Sequence, residues 1–306
     1  MRAVFVDVNA ALGAVVRRVH PADDALLAVE LGRSDITPDE LPAALAGAEI
    51  AVIDHTNLPE AVARRCTGLR HVVFLGTGAR SYMNPEALAA LGITVHTIKG
   101  YGDTAVAECA MGLLWAAARG YAAMDRGMRA GQWLRTEGMQ LTGKTLGLIG
   151  FGGIGAEMAR LAAGIGMQVL AWNRRPRPGA GVAFVEIDEL LARSDAVSLH
   201  LLLCDETRGF LSRGRIAAMR PGALLVNTAR GALVDEAAMV DALRSGHLAH
   251  AGLDVFEIEP LPAGHVLTML ENVTLSAHSA FRTPEANVNL IEAAFVHCRR
   301  IVGAAP

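Results

Sequence analysis

Three short segments in the second half of the chain carry the residue types that hydride transfer to a carbonyl needs. They are Val226-Asn227-Thr228-Ala229-Arg230-Gly231, Leu253-Asp254-Val255-Phe256-Glu257-Ile258-Glu259-Pro260 and Ser276-Ala277-His278-Ser279-Ala280. Reduction of a 2-oxo acid requires a cation for the substrate carboxylate, and the arginine fork matches that group bidentately. The ketone oxygen gains negative charge as hydride arrives, and histidine is the usual proton donor near neutrality. A carboxylate paired with the histidine favours the imidazolium. Arg230, Glu259 and His278 are therefore the candidate catalytic set. Alone, each also reads as a structural residue: a salt-bridge arginine, a turn glutamate, a satisfied loop histidine.

The elements that must position them follow from the apolar runs. Ala223–Asn227, Ala249–Val255 and Val273–Ser276 read as strands, and each segment sits at the C-terminal end of one of them. In a doubly wound sheet those ends face the cofactor crevice. The stretch Lys144–Arg175 supplies the matching motif. The apolar run Thr145–Ile149 predicts a buried strand and leads into Gly150-Phe151-Gly152-Gly153-Ile154-Gly155, a G-x-G-x-x-G. A helix follows, with Ile154, Met158, Leu161 and Ala162 on one face, and Met167–Trp172 predicts the next strand. Gly150 suits the tight turn, Gly152 a close approach to pyrophosphate, and Gly155 the packing of helix on strand. The N–H groups near Gly153 and Ile154 would face the phosphates, favoured by the helix dipole. The unit predicts dinucleotide binding.

Residues 1 to about 99 alternate strand and helix and read as a first α/β unit with a parallel sheet. Strands are expected over Ala3–Val8, Ile50–Ile53, His71–Leu75 and Ile93–Thr97, and helices over Ala25–Leu31, Leu58–Arg65 and Pro85–Leu91. This unit lacks a complete phosphate fingerprint and is the better candidate for the substrate domain. Its strand ends point to Asp54-His55-Thr56 and to Gly76-Thr77-Gly78-Ala79, whose N–H groups can bind a carboxylate. Asp103 to about Met128 reads as one long connecting helix, with Met111, Trp115 and Met124 as a candidate dimer surface. Further helices are expected over Ile187–Arg193, Leu211–Met219 and Asp235–Ser245, and a strand over Asp195–His200. Thr283-Pro284 opens a last helix, Glu285–Val302, that can pack back on the first domain.

With 306 residues the chain is long enough for two domains, and 52% hydrophobic against 19% charged residues excludes a disordered protein. A net charge of -3 with scattered basic residues gives no reason to expect a nucleic-acid partner. No apolar run reaches the ~18 residues of a membrane span, and the N-terminus lacks a leader-like apolar region. Cys66, Cys109, Cys204 and Cys298 have neither metal nor redox spacing; a reduced, cytoplasmic protein without a metal is expected.

Taken together, these motifs resemble the D-isomer-specific 2-hydroxyacid dehydrogenases over essentially the whole chain. The similar segments are Val106-Ala107-Glu108, Gly131-Gln132-Trp133, LGLIGFGGIG, PGALLVNTARGALVDEAAM, AGLDVFEIEP and the His278 segment. The resemblance implies an α/β protein of two Rossmann-like domains with parallel sheets and the active site in the cleft between them. It implies a substrate domain of residues 1–99 plus 284–306 and a dinucleotide-binding domain of residues 100–283. By the same resemblance the catalytic residues are Arg230, Glu259 and His278, and the carboxylate-binding loop is Thr77, Gly78 and Ala79. Cofactor contacts fall on Gly150, Gly152, Gly153, Ile154, Gly155, Asn173, Arg174, Arg175, His200, Leu202, Thr207, Thr228, Ala229, Asp254, His278 and Ala280. Asp254 matches an aspartate beside the nicotinamide carboxamide. A homodimer paired through the nucleotide domain is expected.

Some positions depart from the family pattern. Leu202 stands where a proline is common two residues beyond the matching histidine, Arg80 where an aspartate is frequent, and Lys99 where a proline is frequent. An extra cation there can favour a second anionic group on the substrate, although both also read as solvated surface cations. No regulatory domain is expected after residue 306.

An NAD site normally carries an acid about ~20 residues beyond the glycines, bonded to the ribose 2′-OH. That position is Asn173, followed by Arg174, Arg175 and Arg177. An asparagine does not repel a 2′-phosphate and a guanidinium can bind it, so NADP(H) is the expected cofactor, with NAD(H) as the alternative. The expected activity is reduction of a small 2-oxo acid such as glyoxylate or hydroxypyruvate. Other reactions on the same scaffold, such as phosphite or formate oxidation, are alternatives; Glu259 argues against formate, where glutamine is expected. A nucleotide-sensing interaction protein of the corepressor kind is a third reading.

Overall fold

A computed structural model of the chain describes residues 1–20, 27–176 and 182–303. It divides into two compact units, Met1–Gly102 with Thr283–Pro306, and Asp103–Arg282.

The first unit begins with β1 (Arg2–Phe5), α1 (Ala10–Val19), β2 (Ala28–Leu31), α2 (Leu41–Ala44) and β3 (Ile50–Ile53). It continues with α3 (Glu60–Ala63), β4 (His71–Phe74), α4 (Pro85–Ala90) and β5 (Thr94–Thr97). All pairings are parallel, in the order β2-β1-β3-β4-β5. The continuous apolar runs IAVI and VVF explain this: strands buried on both faces need no polar alternation. One face packs Leu41, Leu45, Leu58 and Leu88. The other packs Leu12 and Val16 of α1 with Leu290, Ile291, Ala294 and Phe295.

One expectation for this unit is corrected and one element was not foreseen. The helix expected over Ala25–Leu31 is the strand β2 where residues are described; 25 and 26 lie outside them. Ala28–Leu31 runs parallel to Arg2–Phe5, and the Arg2 guanidinium holds Glu30 across the pair. Ladder hydrogen bonds outweigh the weak helical propensity of four residues. Helix α1 has no counterpart in the sequence reading. Its signals are Asn9, whose Oδ1 accepts the Leu12 N–H at 2.9 Å, and the buried pair Leu12 and Val16 four residues apart.

The second unit opens with α5 (Asp103–Arg119) and α6 (Tyr121–Arg129). The single helix expected here is two, broken at Gly120, whose φ of 64° lies in the left-handed region. Next come β6 (Thr145–Ile149), α7 (Gly153–Gly164), β7 (Gln168–Trp172), β8 (Ala183–Phe184), α8 (Ile187–Arg193) and β9 (Ala196–Leu199). The unit ends with α9 (Arg213–Ala217), β10 (Ala223–Asn227), α10 (Glu236–Ser245), β11 (Leu248–Leu253), α11 (Val266–Met269) and β12 (Val273–Leu275). The sheet order is β12-β11-β10-β9-β6-β7-β8, all parallel, so the strand order reverses between β6 and β9. Helices α5 and α7 cover one face through Ala110, Leu114, Met158 and Ala162. Leu190, Leu211, Met239 and Leu243 cover the other. Each such large side chain, once buried, contributes roughly 1.5–3 kcal/mol.

The chain then returns to the first unit as α12 (Pro284–Gly303). Thr283 caps it, accepting the Ala286 N–H at 3.1 Å.

Candidate active site

The glycine loop lies at the point where strand order reverses, which is where ligands bind in open α/β sheets. Gly150 has φ of 99°, and a Cβ there would sit 2.6 Å from the His200 carbonyl oxygen at the end of β9. A Cβ on Gly155 would lie 2.5 Å from the Gly150 carbonyl oxygen, so the start of α7 closes on the strand only without a side chain. Gly152, by contrast, faces open space: a Cβ there would meet nothing within 4 Å. The first two glycines are required by protein contacts, and the third leaves room for a ligand beside the first N–H groups of α7. Thr228, at the end of β10, has a buried Oγ1 with no hydrogen-bond partner among the described residues. A buried orphan hydroxyl is costly unless a ligand satisfies it. These features fit a dinucleotide.

The end of β7 closes the same loop. Asn173 Oδ1 accepts the Phe151 N–H at 3.5 Å and its Nδ2 donates to the Arg175 carbonyl at 2.8 Å. Arg174 is 77% exposed and lies 3.6 Å from Glu206. Arg177 lies outside the described residues. In the loop after β9, Thr207 Oγ1 donates to the Leu202 carbonyl at 2.7 Å and accepts the Cys204 N–H at 2.8 Å. Leu202 itself stands 68% exposed. His200 shares a 3.0 Å hydrogen bond with Ser198, and burial pushes its pKa down to about 4, so it is neutral.

The three chemical segments meet at the ends of β10, β11 and β12. Asn227, buried, folds the first: its Oδ1 accepts the Ala229 N–H at 3.0 Å and its Nδ2 donates to the Arg230 carbonyl at 2.9 Å. That turn carries Arg230, whose Nη1 donates to the Ala229 carbonyl at 2.6 Å. Gly231 then lets the turn rest against the second segment, because a Cβ there would fall 2.0 Å from the Phe256 carbonyl carbon.

In the second segment Glu259 Oε1 accepts the Phe256 N–H at 2.9 Å, and Oε2 lies 2.6 Å from His278 Nδ1. Burial alone would raise the Glu259 carboxyl. The hydrogen bonds from His278 and Phe256, with the charges of His278 and Arg230, outweigh it and hold the carboxyl below its usual range.

The third segment is organised by Asp254, which is fully buried. Its carboxylate accepts Ser276 Oγ at 2.5 Å and the N–H groups of Ser279 and Ala280 at 3.0 Å each. Its carbonyl accepts the His278 N–H at 2.7 Å. His278 is the one described non-glycine residue with positive φ, at 46°. A conformation of that kind costs on the order of 1–3 kcal/mol and persists where surrounding bonds over-determine it. The Asp254 bonds do so here. The histidine is 36% exposed and Nδ1 is taken by Glu259, so Nε2 is the nitrogen left for another group.

In the first unit the Thr77-Gly78-Ala79 loop follows β4. The N–H groups of these three residues have no intramolecular partner among the described residues, while the Ile98 N–H donates to the Gly76 carbonyl at 2.9 Å. Successive N–H groups of this kind are available to an external acceptor. The loop at Asp54-His55-Thr56 is tied to Asp7 instead, whose buried carboxylate accepts all three of its N–H groups. Arg80 pairs with Glu86, one contact being 2.8 Å, and both are exposed. That pair weakens the reading of Arg80 as a spare cation; Lys99 is an exposed residue beyond β5.

Asn227, Gly231 and Ser276 were not singled out by the sequence reading, although each lies within a quoted segment. Asn227 and Ser276 bond to the chain itself and Gly231 acts by lacking a side chain, so chemistry-bearing type gives no signal for them.

Comparison with known proteins agrees with this geometry. Residues 111–280 match the family model described as D-isomer specific 2-hydroxyacid dehydrogenase, NAD binding domain. The chain is similar to a hydroxypyruvate reductase of Thermotoga maritima, 41% identical over 214 residues, covering 67% of this chain and 70% of that protein. It is also similar to a glyoxylate reductase of Aeropyrum pernix, 38% identical over 218 residues, covering 67% and 65%. Among solved structures, the pyruvate reductase of Chlamydomonas reinhardtii superposes with a TM-score of 0.87 at 26% identity, covering 100% of this chain and 97% of that one.

Proposed function

The chain belongs to the D-isomer specific 2-hydroxyacid dehydrogenase family, and we propose that it is an NADPH-preferring reductase of small 2-oxo acids of the glyoxylate or hydroxypyruvate type. The observation that carries the chemistry is the 2.6 Å contact of Glu259 with His278 Nδ1, with the charge of Arg230 felt at the same carboxylate. The relatives named for glyoxylate and hydroxypyruvate reduction support the substrate class.

The nicotinamide cofactor supplies the hydride. Arg230 binds the substrate carboxylate through its fork, and the N–H groups of Thr77, Gly78 and Ala79 are proposed as carboxylate donors of the first unit. His278 Nε2 delivers the proton to the carbonyl oxygen as negative charge builds there. Glu259 fixes the ring through Nδ1 and stabilises the imidazolium before the proton leaves. Asp254 sets the loop that carries the histidine.

The cofactor preference rests on Asn173, which stands where an acid would hold a 2′-OH, and on Arg174. The exposed Arg174–Glu206 pair is worth about 0–1 kcal/mol, little enough for a phosphate to replace the carboxylate. Of the expected dimer residues Met111 is buried in the core and drops out, while exposed Trp115, with Tyr121, Met128 and Trp133 along α6 and the segment after it, supports a homodimer through the second unit. No described helix is long and apolar enough to cross a membrane. Free cysteines, two of them buried, suit a cytoplasmic setting.

The test is oxidation of NADPH and NADH with a panel of 2-oxo acids, by wild type and Arg174→Ala. Wild type is expected to turn over glyoxylate or hydroxypyruvate with NADPH ahead of NADH. Arg174→Ala is expected to raise KM for NADPH by about tenfold, the value of a good charged contact, with NADH little changed. Equal KM shifts for the two cofactors, or none, would remove Arg174 from the 2′-phosphate.

A further inference from the structure

The N-terminus of α7, where a dinucleotide's phosphates would meet backbone N–H groups, already has a carboxylate of the chain against it. Gly153 is the first residue of that helix. A Cβ on it would lie 1.7 Å from Asp103 Oδ2 and 2.6 Å from Asp103 Cγ. The acid thus occupies the space that any other residue at 153 would fill with its side chain. Gly152, one residue earlier, faces open space. Asp103 is the first residue of α5 and is half-buried, and its carboxylate has no hydrogen bond or ion pair among the described residues. An unpaired acid beside an anion-binding helix end is the opposite of what phosphate binding asks for.

The charges around it do not relieve this. Glu157, on the second turn of α7, adds a second negative charge. Arg160 is engaged with Glu157 at 2.6 Å and also feels Glu108 of α5. Burial first, and Glu157 second, push the Asp103 carboxyl above its ordinary value.

We propose that Asp103 opposes dinucleotide binding: its charge competes with the cofactor pyrophosphate for the N-terminus of α7, so the site binds its cofactor less tightly than its backbone geometry permits. The inference rests on the dinucleotide site and is independent of which 2-oxo acid is reduced. The pyrophosphate is common to both cofactors, so the effect is blind to the 2′-phosphate. It also weakens as pH falls, because protonation of Asp103 removes the competing charge.

The experiment is fluorescence titration of NADH and NADPH into the full-length wild type, Asp103→Asn and Asp103→Ser, at a series of pH values. Asparagine keeps the shape, and serine keeps a hydroxyl that can cap the start of α5, so agreement of the two excludes a packing artefact. Both variants are expected to bind both cofactors about three- to tenfold more tightly at neutral pH, the size of one nearby unit charge at high effective dielectric. The gap from wild type is expected to narrow in acid, and adenosine, which has no phosphate, is expected to bind all three proteins alike. Unchanged binding would overturn the proposal. Weaker binding would also overturn it and would make Asp103 an acceptor for the cofactor's hydroxyl groups. No binding of either cofactor by any of the proteins would sink the dinucleotide reading and this inference together.

Discussion

The contact between Glu259 and His278 divides the work of the two ring nitrogens. Nδ1 faces the carboxylate at 2.6 Å, so Nε2 is left to hand over the proton. Glu259→Gln keeps the shape but cannot stabilise the imidazolium. The kcat for reduction is expected to fall by about 10²-fold. A kcat equal to wild type would show that the carboxylate only positions the ring. The same carboxyl is held below its usual range, so its contribution to stability is present above its unfolded value and is lost as pH falls through its folded value. The glutamine variant should lose that part of the acid sensitivity. At this scale the sequence was legible where residue type announces chemistry, as for Arg230, Glu259 and His278. It was silent where a residue works on its own backbone. Asn227 closes the Arg230 turn with a bond three residues along, and Asp254, expected only beside the cofactor, holds the His278 loop through a bond 25 residues away, which no local pattern records.

Elements explain why the three segments converge. Strands β10, β11 and β12 are adjacent and parallel, so their C-terminal loops emerge along one edge of the sheet. The first two loops are pressed together at Gly231, with Phe256 and Glu257 backbone atoms where a Cβ would stand. Neither partner is a flexible side-chain end, so Gly231→Ala must displace a loop. The expected result is a loss of kcat/KM of about 10²-fold or more, since a shift near 1 Å at a positioned group costs that much. Cofactor binding should remain close to wild type, because the glycine loop lies on β6. A Gly231→Ala protein with normal kcat/KM would mean that close packing of the two loops is not needed to position the catalytic groups. Strands were the most readable elements: Thr145–Ile149 and Ala223–Asn227 have the extents their apolar runs indicate. Ala25–Leu31 misled because four residues at a sheet edge take their conformation from β1 rather than from themselves. The helix expected over Asp103–Met128 was divided by Gly120, where an apolar face continues on both sides and hides the break.

At the scale of the molecule, two parallel sheets were legible because strand and helix patterns alternate throughout both units, although the edge strands β2 and β8 were not. The glycine motif marked the second unit as the nucleotide fold, and its place where strand order reverses accounts for that motif's chemistry. Less legible was the way the chain's own charges meet the cofactor phosphates, with Asp103 against α7 and Glu206 beside Arg174. Charged residues carry no periodic signal of their partners, and these pairs form only once helices and loops from separate parts of the second unit come together. A D-specific family fixes which face of the carbonyl receives the hydride, so one stereochemical outcome is expected. The direct measurement is the configuration of the product formed from hydroxypyruvate and NADPH by the purified protein, resolved on a chiral column. D-glycerate is expected, formed in step with NADPH oxidation. L-glycerate, or no glycerate despite bound NADPH, would contradict it.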